Sequence, residues 1–214
     1  MSITTYAELQ TAIADYLARS DITAAIPDFI KMAEARMNRS LRTHDMEASA
    51  TVTMTSGSGS LPADYLEWIS VTHDGSTYDS DLRYVEADSD EWRFRYRPNG
   101  NPQLFTILAG TLKIRPVVSG DCTLGYYQSI PALATNSTNW LLTRAPDLYL
   151  NYALAESYIY TKQYDRAKDF MMLAEGNLAK AVEDGDSNKM ARRPTRGAAI
   201  ENTAAAENPK TDGY

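Results

Sequence analysis

The sequence predicts a mixed α+β fold: an antiparallel helical bundle built from both ends of the chain, an inserted small β-sandwich or barrel-like unit, and an extended C-terminal arm. Three observations carry this. Apolar residues recur at helical spacing over residues 5–42 and again after Asn139. They alternate at strand spacing between about 48 and 128, and large apolar residues all but vanish beyond about 185. The expected boundaries are 1–47 with 138–185 for the bundle, 48–137 for the β unit and 186–214 for the arm.

The first helix is marked by Thr5 and Glu8, a capping box in which hydroxyl and carboxylate each satisfy an otherwise orphaned amide. Leu9, Ile13, Tyr16 and Leu17 follow as one apolar stripe. Asp21 is positioned to cap the next segment, and Pro27 suits a first helical turn. Phe29, Ala33, Met37 and Leu41 then recur every four residues, so the stretch holds two helices with a break near 20–27.

From about residue 48 the period shortens. Ala50–Met54 alternates and runs into a Thr-Ser-Gly-Ser-Gly-Ser segment, read as a flexible, solvated turn around Gly57 and Gly59. Trp68–His73 ends at Asp74-Gly75, a hairpin signal. Residues 87–97 suit a short helix capped at Asp88 or Ser89. Strands follow at 103–108, 111–116 and 122–128, separated by Ala-Gly and Ser-Gly-Asp turns. Five or six short strands over about 80 residues suggest a sandwich or small barrel.

After Asn139, Pro146 and Asp147 open a helix with Leu148, Tyr152, Ala155 and Ile159 on one face. The next helix carries Ala167, Met171, Ala174, Leu178 and Ala181, a seam of small and flexible residues that lets helices approach closely. The arm, with only Met190, Ile200 and Tyr214 as large apolar residues, cannot bury enough surface to order itself. It has five cations and four anions, and Lys189, Arg192, Arg193 and Arg196 cluster at its start.

The 214 residues are enough for one mid-sized domain or two small ones. The net charge of −7 argues against a grip on duplex DNA, which needs clustered Lys and Arg. Cys122 is the only cysteine, which excludes an intrachain disulfide, and its strand context suggests a small buried apolar residue. The N-terminus lacks the basic and apolar regions of a signal peptide, and no apolar run approaches a membrane span. The chain is therefore expected to stay in the cytosol or to assemble there.

Catalytic chemistry finds little support. His44 and His73, the two histidines, read as polar termini of elements, and no partner for proton transfer is signalled. No phosphate loop, dinucleotide fingerprint or nucleophile elbow occurs. The acidic residues Asp79, Asp81, Glu86, Asp88, Asp90 and Glu91 match no calcium loop and read as a solvated segment. No cofactor, metal or catalytic residue is expected. The richest segment is 84–97, where Tyr84, Trp92, Phe94 and Tyr96 alternate with Arg93, Arg95 and Arg97. Such residues can stack single-stranded bases, but in an acidic chain they better suit a protein interface.

Several phrases in fixed order resemble one family. They are Leu61–Glu67 (Leu-Pro-Ala-Asp-Tyr-Leu-Glu), Gly100–Ile107, Gly110–Pro116, Leu124–Gln128, Ile130–Leu133, Asn139–Leu142 and Pro146–Leu150. With the order helices, β insert, helices, they resemble bacteriophage head-to-tail adaptor proteins from about residue 3 to 185. The resemblance implies a structural virion protein without catalytic residues, located at the neck and assembled in the host cytoplasm. It implies a ring, commonly of twelve copies, between the portal protein and the tail or nozzle protein, with genomic DNA passing through. Closed rings need heterologous contacts. The expected portal or neighbour contacts are Lys189, Arg192, Arg193, Arg196, Ile200 and Tyr214 of the arm. Trp92, Phe94, Tyr96, Arg93 and Arg95 are the expected subunit or tail interface. The alternative is a tail-associated module whose β unit binds carbohydrate or another tail protein through Trp68, Trp92 and Tyr126.

Overall fold

A computed structural model describes residues 3–74, 81–94 and 100–192, with side chains described as far as Glu183. It is mixed α+β, with N- and C-terminal helices packed together beside two small sheets.

Helix α1 (Tyr6–Leu17) starts at the capping box. Thr5 Oγ1 accepts from the Glu8 amide at 3.3 Å, and the Glu8 carboxylate accepts from the Thr5 amide at 3.0 Å. The Thr4 amide and hydroxyl also donate to Glu8, and these bonds hold its carboxyl below the usual range. Leu9, Ala12 and Ile13 form its buried face. Tyr16 departs from the expected stripe: it stands one residue, about 100° of helix rotation, from half-buried Leu17 and is exposed. Asp21 does not cap the next helix. It pairs with Arg19, and a 3-10 turn at Thr23–Ala25 separates it from the first amides of α2 (Ile26–Ser40). Pro27 does occupy that first turn, and Phe29, Ala33, Met37 and Leu41 form a fully buried column.

The described strands are β1 (Glu47–Met54), β2 (Ser58–Ser60), β3 (Tyr65–His73), β4 (Arg83–Tyr84), β5 (Leu104–Leu108), β6 (Thr111–Arg115) and β7 (Gly120–Gln128). One sheet has the order β1-β7-β3, the other β2-β6-β5-β4. All described pairs are antiparallel except β4 with β5. Both sheets turn alternate residues into one core: Val52 and Met54 of β1, Cys122, Leu124 and Tyr126 of β7, and Phe105, Leu112 and Ile114 of the second sheet. Burial pushes the Cys122 thiol up to about 12, so it behaves as an apolar core residue.

Three expectations about this unit change. Gly57 and Gly59 are not a solvated turn: both are buried, and Gly59 lies in β2. A Cβ on Gly59 would meet Val52 Cγ1 at 2.6 Å and Met54 Sδ at 2.8 Å, so only glycine lets β2 press this closely on β1. Asp74-Gly75 does not simply join two paired strands. β3 pairs with the distant β7, and among the described residues the returning chain bonds back to it from Leu82 N–H to the Val71 carbonyl, while 75–80 lie outside them. His73 is buried at the end of β3 against Gly120 rather than at a polar terminus.

The C-terminal helices are α4 (Trp140–Arg144), α5 (Pro146–Tyr160) and α6 (Tyr164–Arg192). The break at Ala145 (φ −138°, ψ 66°) follows from Pro146, which disfavours helical backbone in the residue before it. α5 is the central helix. Besides Leu148, Tyr152 and Ala155, it buries Tyr149, Ala153, Leu154, Glu156, Ser157 and Tyr158, so its apolar surface wraps most of the circumference. The small-residue seam of α6 lies as expected, with Ala167 and Ala174 buried and Met171, Leu178 and Ala181 packed on the same core. The helix continues to Arg192, past the expected start of the arm at 186, since helical propagation adds a hydrogen bond per residue without requiring burial.

Glu34 of α2 is buried and accepts the Leu133 amide at 2.8 Å, tying the bundle to the segment after β7. Burial pushes its carboxyl above the usual range against the lowering effect of that bond. The folded chain then binds more protons than the unfolded one between the ordinary carboxylate value and the raised one. This group's contribution to stability therefore falls as pH rises through that window, and the penalty is complete above it. Glu34→Gln keeps the acceptor and removes the charge. It should be more stable than the parent at neutral pH, with the gain shrinking on acidification, as denaturant unfolding at both pH values will measure.

Candidate interaction surfaces

The aromatic, arginine-rich segment is split by its own fold. β4 and helix α3 (Asp90–Phe94) carry it, with Ser89 Oγ accepting from the Trp92 amide at 3.2 Å, as the sequence suggested. Trp92 is 5% exposed and forms a small core with Val85 and Leu104. The Arg115 guanidinium lies 4.2 Å from its ring centroid and donates to its carbonyl. Trp92 therefore holds α3 on the sheet rather than facing a partner. Arg93 is exposed and Phe94 is 80% exposed, a large apolar side chain in water. Arg95 and Tyr96 lie outside the described residues.

The three residues of the carbohydrate alternative do not share a surface. Tyr126 is buried, its hydroxyl 3.0 Å from Asp64 Oδ1, and Trp92 is enclosed as above. Trp68 is partly exposed but stacks on Tyr84, with ring centroids 5.5 Å apart and 19° between planes, and sets its edge to Phe105. The stacked pair, with exposed Ile69 and Leu108, gives the β unit apolar surface that the spacing of residues did not single out.

A second apolar area lies where α5 turns into α6. Ile159, Tyr160, Tyr164, Met172 and Leu173 are exposed, and Tyr160 stands 5.5 Å from Phe29 of α2. Ile159, Tyr164, Ala167, Met171 and Met172 line a groove of about 440 Å³, with Lys168 and Glu175 also on its walls. Ile159 shares the face of Leu148, Tyr152 and Ala155, but in the last turn of α5 it stands at the rim, exposed where they are buried. The only cue was the run of large apolar residues continuing through the turn.

A smaller cavity of about 160 Å³ lies between α4, α6 and the 3-10 turn at His44–Met46. The Arg144–Asp45 ion pair and the Asn177–Asp147 hydrogen bond of 2.6 Å span it, and Lys180 lines it. His44 Nδ1 lies 2.9 Å from Glu47 Oε2. Among the described residues no group of three His, Cys, Asp or Glu converges as metal ligands would, and no helix is long and apolar enough to cross a membrane. Of the arm residues, Lys189 and Arg192 fall at the C-terminal end of α6, while Arg193, Arg196, Ile200 and Tyr214 lie outside the described residues.

Compared with known proteins, residues 4–198 match the model of one family, described as SU10 adaptor protein. That match covers both helical parts and the whole β unit. No curated protein matches the chain.

Proposed function

The chain belongs to the SU10 adaptor protein family, a phage head-to-tail adaptor family, and from that premise we propose that it forms a ring between the portal and the tail nozzle. The family match over nearly the whole chain carries this reading, because it includes the bundle, the β unit and the order in which they occur. The ring holds about twelve copies at the virion neck and is assembled in the host cytoplasm, its number following the family resemblance. Genomic DNA passes through it without being gripped, in keeping with the net charge of −7. The exposed Phe94 and Arg93 and the Trp68–Tyr84 stack give the β unit surface for a tail protein or a neighbour.

The arm is the portal clip. At about 3.3 Å per residue, the 22 residues that follow α6, 193–214, would reach at most roughly 70 Å, enough to cross to a neighbour or the portal. Lys189, Arg192, Arg193 and Arg196 suit an acidic portal surface. Ordering the arm costs entropy at each copy, but repetition around a ring turns weak contacts into a stable joint.

Negative-stain images of the chain mixed with its portal protein test the reading: a ring stacked on one end of the portal is expected, and portals without added density would overturn it. Deleting 187–214 should leave thermal unfolding little changed, because the bundle core of the described residues is complete by Val182. The same deletion should abolish capture of the chain by immobilised portal, and undiminished capture would sink the clip.

A further inference from the structure

We infer that the groove between α2, α5 and α6 lined by Arg36, Arg39, Ser40, Tyr152 and Glu175 is a binding site for inorganic phosphate. The inference does not depend on the ring. It rests on the polar groups that this groove of about 470 Å³ brings together. Tyr152 is 4% exposed and lines the groove, and among the described residues no group bonds its hydroxyl. Burial, and next the Glu175 charge, raise its phenol above the ordinary value against the pull of Arg36. It is therefore a neutral O–H donor with both charges close by. A hydroxyl this enclosed is costly to leave unbonded, and an acceptor bound in the groove would satisfy it.

Hydrogen-bond chemistry selects the ligand. Arg36 gives its Nε to Glu156, and Arg39 gives its Nε to the Ala35 carbonyl at 3.2 Å, which leaves the terminal amines of both guanidiniums as donors. With the hydroxyls of Tyr152 and Ser40 they suit the oxygens of an oxyanion. Arg39 and Glu175 make no ion pair among the described residues. The Glu175 carboxylate repels an anion that offers only acceptors, but it accepts a hydrogen bond from one that still carries a proton. Inorganic phosphate keeps at least one P–OH throughout the neutral range. Sulfate, a phosphodiester and the dianion of a phosphomonoester have none. The free phosphate ion thus satisfies the whole set, its bare oxygens taking the donors and its P–OH donating to Glu175. The same logic turns away a nucleic-acid backbone, in keeping with the net charge of −7.

Calorimetric titration of the full chain slightly above neutral pH tests this. Inorganic phosphate should bind at least about tenfold more tightly than sulfate or methyl phosphate at matched ionic strength, because those anions set an oxygen without a proton against Glu175. Equal affinities would mean that the arginines act as bare charge and would overturn the inference, as would an absence of heat at millimolar phosphate. Tyr152→Phe removes only the hydroxyl, and Arg39→Gln only an exposed charge. Each should weaken phosphate binding at least about fivefold and leave Tm close to the parent's. Unchanged affinity in both variants would overturn the location. Glu175→Gln separates selectivity from affinity: its amide can donate to either anion, so this variant should bind sulfate and phosphate alike. Discrimination that persists in it would overturn the choice of phosphate.

Discussion

Replacing Asn139 with alanine is expected to destabilise the chain by about 3 kcal/mol, lowering Tm by roughly 10 °C in thermal unfolding. This side chain does three things at once. Its Oδ1 accepts the Leu142 amide at 2.8 Å, capping α4. Its Nδ2 donates to the Pro131 carbonyl at 2.8 Å and to the Tyr149 hydroxyl at 2.7 Å. Tyr149 is fully buried in α5, and burial pushes its phenol well above the usual range, so its hydroxyl stays neutral. Loss of the cap costs about 1 kcal/mol, and a buried hydroxyl left without its partner costs about 1–3 kcal/mol more.

A double-mutant cycle separates these contributions. Tyr149→Phe removes the hydroxyl that Asn139→Ala would strand, so the double variant should be more stable than the sum of the two single losses. Simple additivity would mean that the cap alone matters. Asn139 joins the end of the β unit to α4 and α5, so its loss should also loosen the helices that carry the apolar end of the bundle.

What could be read from sequence was what is local. The capping box at Thr5 and Glu8, the helix start at Pro146 and the choice of Asp88 or Ser89 as a cap each depend on residues within four positions of one another; the first two are where their patterns put them, and Ser89 is the one that caps. Asp21 failed for a near-local reason, since a three-residue 3-10 turn moved the helix start beyond its reach. The meaning of Gly59 is non-local: glycine in a Ser-Gly-Ser run looks like a solvated turn until β1 is known to press against it. The surfaces were legible to different degrees. Composition flagged 84–97 as contact-prone, but the choice between buried Trp92 and exposed Phe94 is made by Val85 together with Leu104 and Arg115, which lie outside that segment. The apolar end of α5 and α6 was hidden by the opposite problem: in a helix apolar nearly all round, periodicity cannot say which residues the bundle leaves uncovered.

Arg36→Leu is the second variant with a large expected effect, a loss of about 2–3 kcal/mol in denaturant unfolding. Arg36 Nε donates to Glu156 Oε1 across the contact between α2 and α5, binding the N-terminal part of the bundle to its central helix. The partners differ in their access to water: the arginine side chain is 38% exposed, the glutamate 7%. Removing the arginine strands a carboxylate that water can hardly reach. Removing the charge by Glu156→Gln leaves a guanidinium that can turn toward solvent and keeps an acceptor for it. The two substitutions should therefore be unequal, with Glu156→Gln costing well under half as much. Adding Glu156→Gln to Arg36→Leu should recover most of the loss, because the stranded charge is gone. Equal single losses with no recovery would mean that Arg36 acts by packing its aliphatic stem, not by neutralising Glu156. The pair also bears on the surface of the bundle. Tyr160, at the apolar end of α5, lies one turn beyond Glu156 and stands 5.5 Å from Phe29 of α2. A contact that sets α2 against α5 therefore also sets the shape of the apolar surface exposed at that end of the bundle.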